Sequence, residues 1–114
     1  MQEELHWSLK RYVYALAHPT RYQVRYIGVT TNIKRRMQQH ISRMYRDKRD
    51  GISMPISDWI RSLNGADPRV RILEECDSRT GPKREAWWIA HYHAKGAKLL
   101  NVQKVPASST PDVN

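Results

Sequence analysis

The chain is short of cysteine, of acid and of long apolar runs, and each shortage excludes something. Its 114 residues hold a single cysteine, Cys76. One thiol makes neither an intramolecular disulfide nor a cysteine-based zinc site, and a reducing cytoplasmic setting is expected. Cys76 follows the β-forming stretch Val70-Arg71-Ile72-Leu73 and reads as a buried structural thiol, not a nucleophile. No apolar run approaches the roughly 20 residues that span a bilayer. Met1-Gln2-Glu3-Glu4 is not a basic start followed by an apolar stretch, so no signal peptide is expected. Acid is scarce: 11 Asp+Glu face 20 Lys+Arg, for a formal net charge of +9. That balance favours a polyanionic partner, because each phosphate contact releases counterions. Basic proteins also bind acidic membranes or acidic proteins, so charge alone does not decide. The length suits one compact domain and not two.

What is present falls into alternating blocks. Residues 1–10 form a polar lead-in. Arg11–Ala17 is rich in β-formers and predicts a strand. His18-Pro19-Thr20-Arg21 predicts a turn, and Tyr22–Val29 alternates as a returning strand. Gly28 inside that strand signals a close backbone approach or a bend. Thr30-Thr31-Asn32 offers helix caps, and Ile33, Met37, Ile41 and Met44 recur at helical spacing, giving an amphipathic helix to about Tyr45. A polar loop is expected over Asp47–Ser53. Pro55 opens a second helix with Ile56, Trp59, Ile60 and Leu63 on its apolar face, stopped at Asn64-Gly65. Arg69–Glu75 reads as a third strand, Ser78–Pro82 as a turn and helix start, and Glu85–Ala94 as a third helix. Residues 106–114 have the composition of a disordered tail. The order β-β-α-α-β-α implies an α+β fold, a small three-stranded antiparallel sheet flanked by helices.

Several chemically apt residues sit on these blocks in order. Tyr12-Val13-Tyr14 and Tyr26-Ile27-Gly28 lie on the two paired strands. Arg36 and His40 are four apart on the first helix, so they share one face beside the apolar stripe. Glu85 lies at the third helix. Each has a plainer explanation on its own. Tyrosines favour strands, a charged helix face is usually just solvated, a glutamate early in a helix suits the dipole, and Asn101 is most simply a turn residue.

Taken together, the pattern resembles the GIY-YIG nuclease superfamily over residues 11–102. Tyr12-Val13-Tyr14 stands at the first motif, with Tyr12 replacing its first glycine, a change that bears on packing. Tyr26-Ile27-Gly28 is the second motif unchanged. Arg36, His40, Glu85 (with Trp88-Ile89 behind it) and the late Asn101 occupy the family's positions in the family's order. The resemblance implies a catalytic set of Tyr14, Tyr26, Arg36, His40, Glu85 and Asn101, with Tyr14 as the base that takes a proton from water, Tyr26 orienting water or phosphate, and Asn101 fixing the geometry. The segment 44–67 is longer than in compact family members and has no assigned role.

The residues themselves support metal-assisted cleavage of a phosphodiester. That reaction needs an activated water, a charge clamp on phosphate and help for the leaving oxygen. One carboxylate, Glu85, suits a hard divalent ion such as Mg2+, with Mn2+ as a substitute, because water and phosphate oxygens complete the shell. A tyrosine serves as base if its pKa falls from about 10 to about 7, roughly 4 kcal/mol of stabilisation, which Arg36 would help supply. Handing its proton to His40 serves as well. Lys34, Arg35, Arg43, Arg46, Lys48 and Arg49 are candidate phosphate-backbone contacts, against the alternative of a solvated basic stretch. His91 and His93 point apart on a helix, His6 and His18 lie in a lead-in and a turn, and Trp59, Trp87 and Trp88 fall at core positions. Trp7 is the tryptophan freest to meet a partner.

The expectation is a domain over residues 11–105 that cuts DNA, with RNA left open and no membrane role. Sequence specificity would come from a homodimer or a partner protein. The rival is a catalytically idle nucleic-acid-binding module of the same fold. A third is a basic interaction protein with no nucleic-acid role.

Overall fold

Strand β1 (Lys10–Ala17) is the middle of the sheet, and the pattern of its residues explains why. Val13, Tyr14, Ala15, Leu16 and Ala17 are all buried, so both faces of this strand are covered. It pairs antiparallel with β2 (Val24–Thr30) on one side and β3 (Arg69–Asp77) on the other, in the order β2-β1-β3. A computed structural model describes residues 9–101. The lead-in with His6 and Trp7, Val102 and the tail at 106–114 lie outside the described residues.

The alternation of β1 divides its side chains between two cores. Val13, Ala15 and Ala17 join Val24 and Ile27 on one face, under helix α3 (Gly81–Ala94), whose Trp88, Ile89 and Tyr92 pack on them. Tyr14 and Leu16 point the other way, towards Met44 of helix α1 (Ile33–Asp50) and Trp59 and Ile60 of helix α2 (Pro55–Ser62). Leu16 and Ile27 are fully buried. Burial at that level contributes about 2 kcal/mol for each such side chain.

Helix α1 is longer than its apolar stripe suggests. It ends at Asp50, not near Tyr45, so most of the loop expected over Asp47–Ser53 is helical. The reason is a buried polar anchor. His40, Met44 and Asp47 follow one another on the buried side of the helix. The Asp47 carboxylate accepts the Ser57 hydroxyl at 2.6 Å, tying α1 to α2, and its carbonyl accepts the Ile52 amide at 2.8 Å. Gly51, at φ 69°, supplies the left-handed cap that ends the helix. At the other end the Asn32 side chain accepts the Arg35 amide at 2.9 Å. Helix α3 starts at Gly81, so Glu85 stands just past the first turn and does not open the helix.

Strand β2 is an outer strand, and the chain after α3 covers its edge. Between the pairs Leu16–Tyr26 and Ala17–Val24 the register shifts, leaving Arg25 as an extra residue on β2. The Arg25 carbonyl accepts the Leu100 amide at 2.6 Å. Asn101 then takes both sides of the Ile27 peptide. Its Oδ1 accepts the Ile27 amide at 3.0 Å and its Nδ2 donates to the Ile27 carbonyl at 2.7 Å. A side chain thus stands in for a neighbouring strand and satisfies an exposed edge.

Gly28 is where the sheet makes room for the site. It lies opposite Tyr14 in the ladder. A Cβ built on Gly28 would lie 2.5 Å from the Tyr14 hydroxyl oxygen and 2.6 Å from Cζ. The close approach read from the sequence is therefore the phenol ring lying across a glycine. Gly28→Ala is expected to lower stability by about 1–3 kcal/mol through overpacking, seen as a lower urea midpoint. An unchanged midpoint would contradict the close packing of Tyr14 on β2.

Candidate active site

Tyr14 and Tyr26 project from the same sheet face because the ladder places them on alternate positions of adjacent strands. Their ring centroids are 6.3 Å apart. The third ring comes from α1, where the His40 imidazole meets Tyr26 edge-on at 5.4 Å and Tyr14 at 6.2 Å. The tyrosine hydroxyl and His40 Nε2 are 2.9 Å apart. Tyr14 is 1% exposed and His40 6%.

Burial sets the protonation of both partners. It pushes the Tyr14 phenol up to about 12, and the nearby Tyr26 and Glu85 add to this while Arg36 opposes it. Burial also brings His40 down to about 4, helped by the positive charges of Arg36 and Arg43. At neutral pH the pair is therefore a neutral phenol and a neutral imidazole. The phenol donates, and Nε2 accepts. The expectation that Arg36 would lower the tyrosine is corrected here: Arg36 acts in that direction, but desolvation outweighs it.

Arg36 is half-buried beside the two phenols. Burial works against its charge, yet the hydroxyls of Tyr14 and Tyr26 hold it firmly protonated. Its guanidinium also donates to the Gln39 side chain at 3.1 Å. Glu85 reaches the same centre from α3, close enough for its charge to act on Tyr14. Its carboxyl is half-buried and pushed up by desolvation. Among the described residues no salt bridge or hydrogen bond forms to it, and no group of three or more His, Cys, Asp or Glu gathers into a metal cluster. Any cation held here would rely on a single protein carboxylate.

One contact set that aims Glu85 escaped the sequence reading. Glu74 on β3 accepts from Arg84 Nε at 2.8 Å and from the Trp88 indole at 2.9 Å. These bonds flank Glu85 on α3 and fasten that helix to the sheet. An acid on a strand and a base ten residues later carry no local signature, because the intervening turn decides whether they meet.

The structure thus brings together Tyr14, Tyr26, Arg36, His40 and Glu85. Asn101 stays outside this centre, on the far edge of β2, and touches it only through the backbone of Ile27. Lys34, Arg35, Arg43, Arg46, Lys48 and Arg49 are all exposed on α1, so Lys48 and Arg49 sit on a helix and not on the expected loop. Arg49 is paired with Asp50 at 2.9 Å and Arg43 lies 3.8 Å from Asp47. Trp59 is buried as expected, but Trp87 is 47% exposed, stacked on His91 with centroids 5.1 Å apart and beneath the Arg84 guanidinium. Helical spacing put it at the core, and it lies one step too far round α3. Cys76 is partly buried against the core, and burial pushes its thiol up.

A three-stranded antiparallel sheet carrying two tyrosines, with an arginine and histidine from one helix and a glutamate from another, defines a nuclease-type fold. The chain belongs to the GIY-YIG catalytic domain family, whose model matches residues 10–99. Neither the comparison with curated proteins nor that with solved structures gave a significant match. No helix among the described residues is long and apolar enough to cross a membrane.

The depressed His40 has a consequence for stability. Its folded pKa of about 4 lies below the ordinary 6.5, so the unfolded chain binds the extra proton between those values. Stability should be full above about pH 6.5 and fall as pH drops towards 4, by up to about 3 kcal/mol. Urea unfolding at stepped pH tests this. His40→Gln should remove most of the slope over that window, and a wild-type slope that survives the substitution would contradict the assignment.

Proposed function

We propose that the protein is a metal-dependent endonuclease that hydrolyses DNA phosphodiester bonds. The observation that carries the reading is the buried Tyr14–His40 hydrogen bond, with Arg36 beside it and the half-buried, unpaired Glu85 facing it. Structural burial alone does not call for a carboxylate without a cationic partner at this point, because desolvating it costs stability. Its chemistry fits Mg2+, a hard cation that keeps most of its water and takes one or two carboxylates. A divalent cation held on Glu85 would polarise the phosphate and ease departure of the leaving oxygen.

The residues of the chain do the rest. Arg36 binds a phosphate oxygen and supplies positive charge where negative charge grows. Tyr14 passes its proton across 2.9 Å to His40 Nε2 and takes one from water. The resulting hydroxide attacks phosphorus, the bond to the leaving oxygen breaks, that oxygen takes a proton from solvent, and His40 releases its proton to solvent as product leaves. Tyr26 orients the water or the phosphate. In the resting site the transfer is steeply uphill. Values of about 12 and about 4 leave a gap on the order of 10 kcal/mol. A cation held on Glu85 and the phosphate of a bound substrate would together narrow that gap, the cation acting on the phenol and the phosphate on the imidazole. Positive charge beside the phenol lowers it, and an anionic phosphate beside His40 raises the imidazole. The centre is quiet until nucleic acid arrives.

The exposed cations of α1 serve as backbone contacts in this reading, with Arg43 nearest the centre because its charge acts on His40. The one observation that favours an idle binding module is the same raised phenol. Plasmid nicking in Mg2+ separates the two. Wild type should convert supercoiled DNA to open circles, and Glu85→Ala should lose at least roughly 100-fold in rate. Plasmid binding without nicking above the Glu85→Ala background would leave only the binding module.

A further inference from the structure

An open groove of about 530 Å³ lies at the other end of α3 and contains none of the five residues of the tyrosine centre. One wall is the turn before β2 and the first residues of that strand, with Tyr22 and Arg25. The other is the C-terminal turn of α3 and the chain that leaves it, with Tyr92, Lys95 and Lys98. No acid lines it. The α3 carbonyls of His91, Tyr92 and His93, which would otherwise repel an anion, are taken up by the amides of Lys95, Gly96 and Ala97.

Tyr22 is displayed, not packed. It is 75% exposed, yet the Arg71 guanidinium donates to its hydroxyl at 2.6 Å and lies 5.7 Å from the ring centroid. The turn that carries it is braced as well. His18 Nδ1 accepts the amides of Thr20 and Arg21 at 3.1 and 3.2 Å, and the His18 amide donates to the Gln23 carbonyl at 3.1 Å. A solvent-facing aromatic ring held rigid beside lysines is a surface on which a base stacks and a phosphate sits. Arg25 ties the two walls together, its Nε donating to the Lys98 carbonyl at 2.9 Å.

We propose that this groove is a second nucleic-acid subsite, which takes an unpaired nucleotide flanking the scissile phosphate, its base against Tyr22 and its phosphate on Lys95 and Lys98. The proposal rests on the nuclease reading of the tyrosine centre. The spacing suits it. Tyr92 lies seven positions after Glu85, about 10 Å along the helix and two turns on, so one bound strand can reach both sites. The contact is sequence-independent, because every base has a face to stack and every nucleotide a phosphate.

The test is fluorescence anisotropy with a labelled duplex carrying a single-stranded overhang across a salt series, on wild type, Lys95→Glu/Lys98→Glu, Tyr22→Ala, and Lys10→Glu/Arg61→Glu as a control with the same change in net charge. These side chains are exposed, and thermal melts confirm that each variant folds. The groove double variant should lose roughly tenfold or more in affinity and flatten the salt slope by about two. Tyr22→Ala should lose roughly fivefold with its slope intact. The control should change affinity much less. If the groove variants match the control while wild type still nicks plasmid, the subsite is wrong and the nuclease reading stands. If wild type binds no nucleic acid at all, both fall.

Discussion

The structure depends on one buried hydrogen bond, between the Tyr14 phenol and His40. Several otherwise unrelated features exist to make it possible. Tyr14 sits on the middle strand, where both sheet faces are covered, so its ring is buried and its hydroxyl takes a protein partner in place of bulk solvent. An unpaired buried hydroxyl costs about 1–3 kcal/mol, which makes the imidazole partner a structural need as much as a chemical one. Gly28 must lack a side chain so that the ring can lie flat across β2. Helix α1 must be long enough to be held by Asp47 and Ser57, because that anchor fixes the helix that carries His40 two turns earlier. A dry phenol against a neutral imidazole is also a poised proton pair, since its gap responds to any charge brought alongside.

The rest of the site is assembled from opposite sides of the sheet. Tyr14, Tyr26, Arg36 and His40 belong to the face under α1 and α2. Glu85 comes from α3, which packs on the other face, and is still close enough for its charge to act on Tyr14. Such a reach tolerates little slack. The bonds from Arg84 and Trp88 to Glu74 lock α3 against β3 on either side of Glu85, and Asn101 braces β2 through the Ile27 peptide beside Tyr26. Neither Glu74 nor Asn101 touches the reacting groups as placed here. They hold in place the elements that do.

Much of this was legible in the sequence because it is local. The hairpin, the cap at Asn32, the period of Ile33, Met37 and Ile41, and the order of Tyr14, Tyr26, Arg36, His40 and Glu85 all follow from short-range pattern. What stayed hidden was decided by long-range contact. Asp47 read as loop polarity until Ser57, ten residues on, showed it to be a buried anchor. Trp87 read as core because aromatic residues on a helix usually are, while its neighbour Trp88 takes the inward position. The protonation of Tyr14 was misjudged for the same reason. A neighbouring arginine is visible in sequence, but the depth of burial that outweighs it is not.

The central claim is that Tyr14 activates water through His40, and single-turnover DNA cleavage by Tyr14→Phe tests it most directly. The substitution keeps the ring over Gly28 and removes only the hydroxyl. With saturating DNA in Mg2+, the account predicts a rate at least roughly 100-fold below wild type with DNA affinity unchanged, the scale of a lost general base. Cleavage at the wild-type rate by this variant would contradict it.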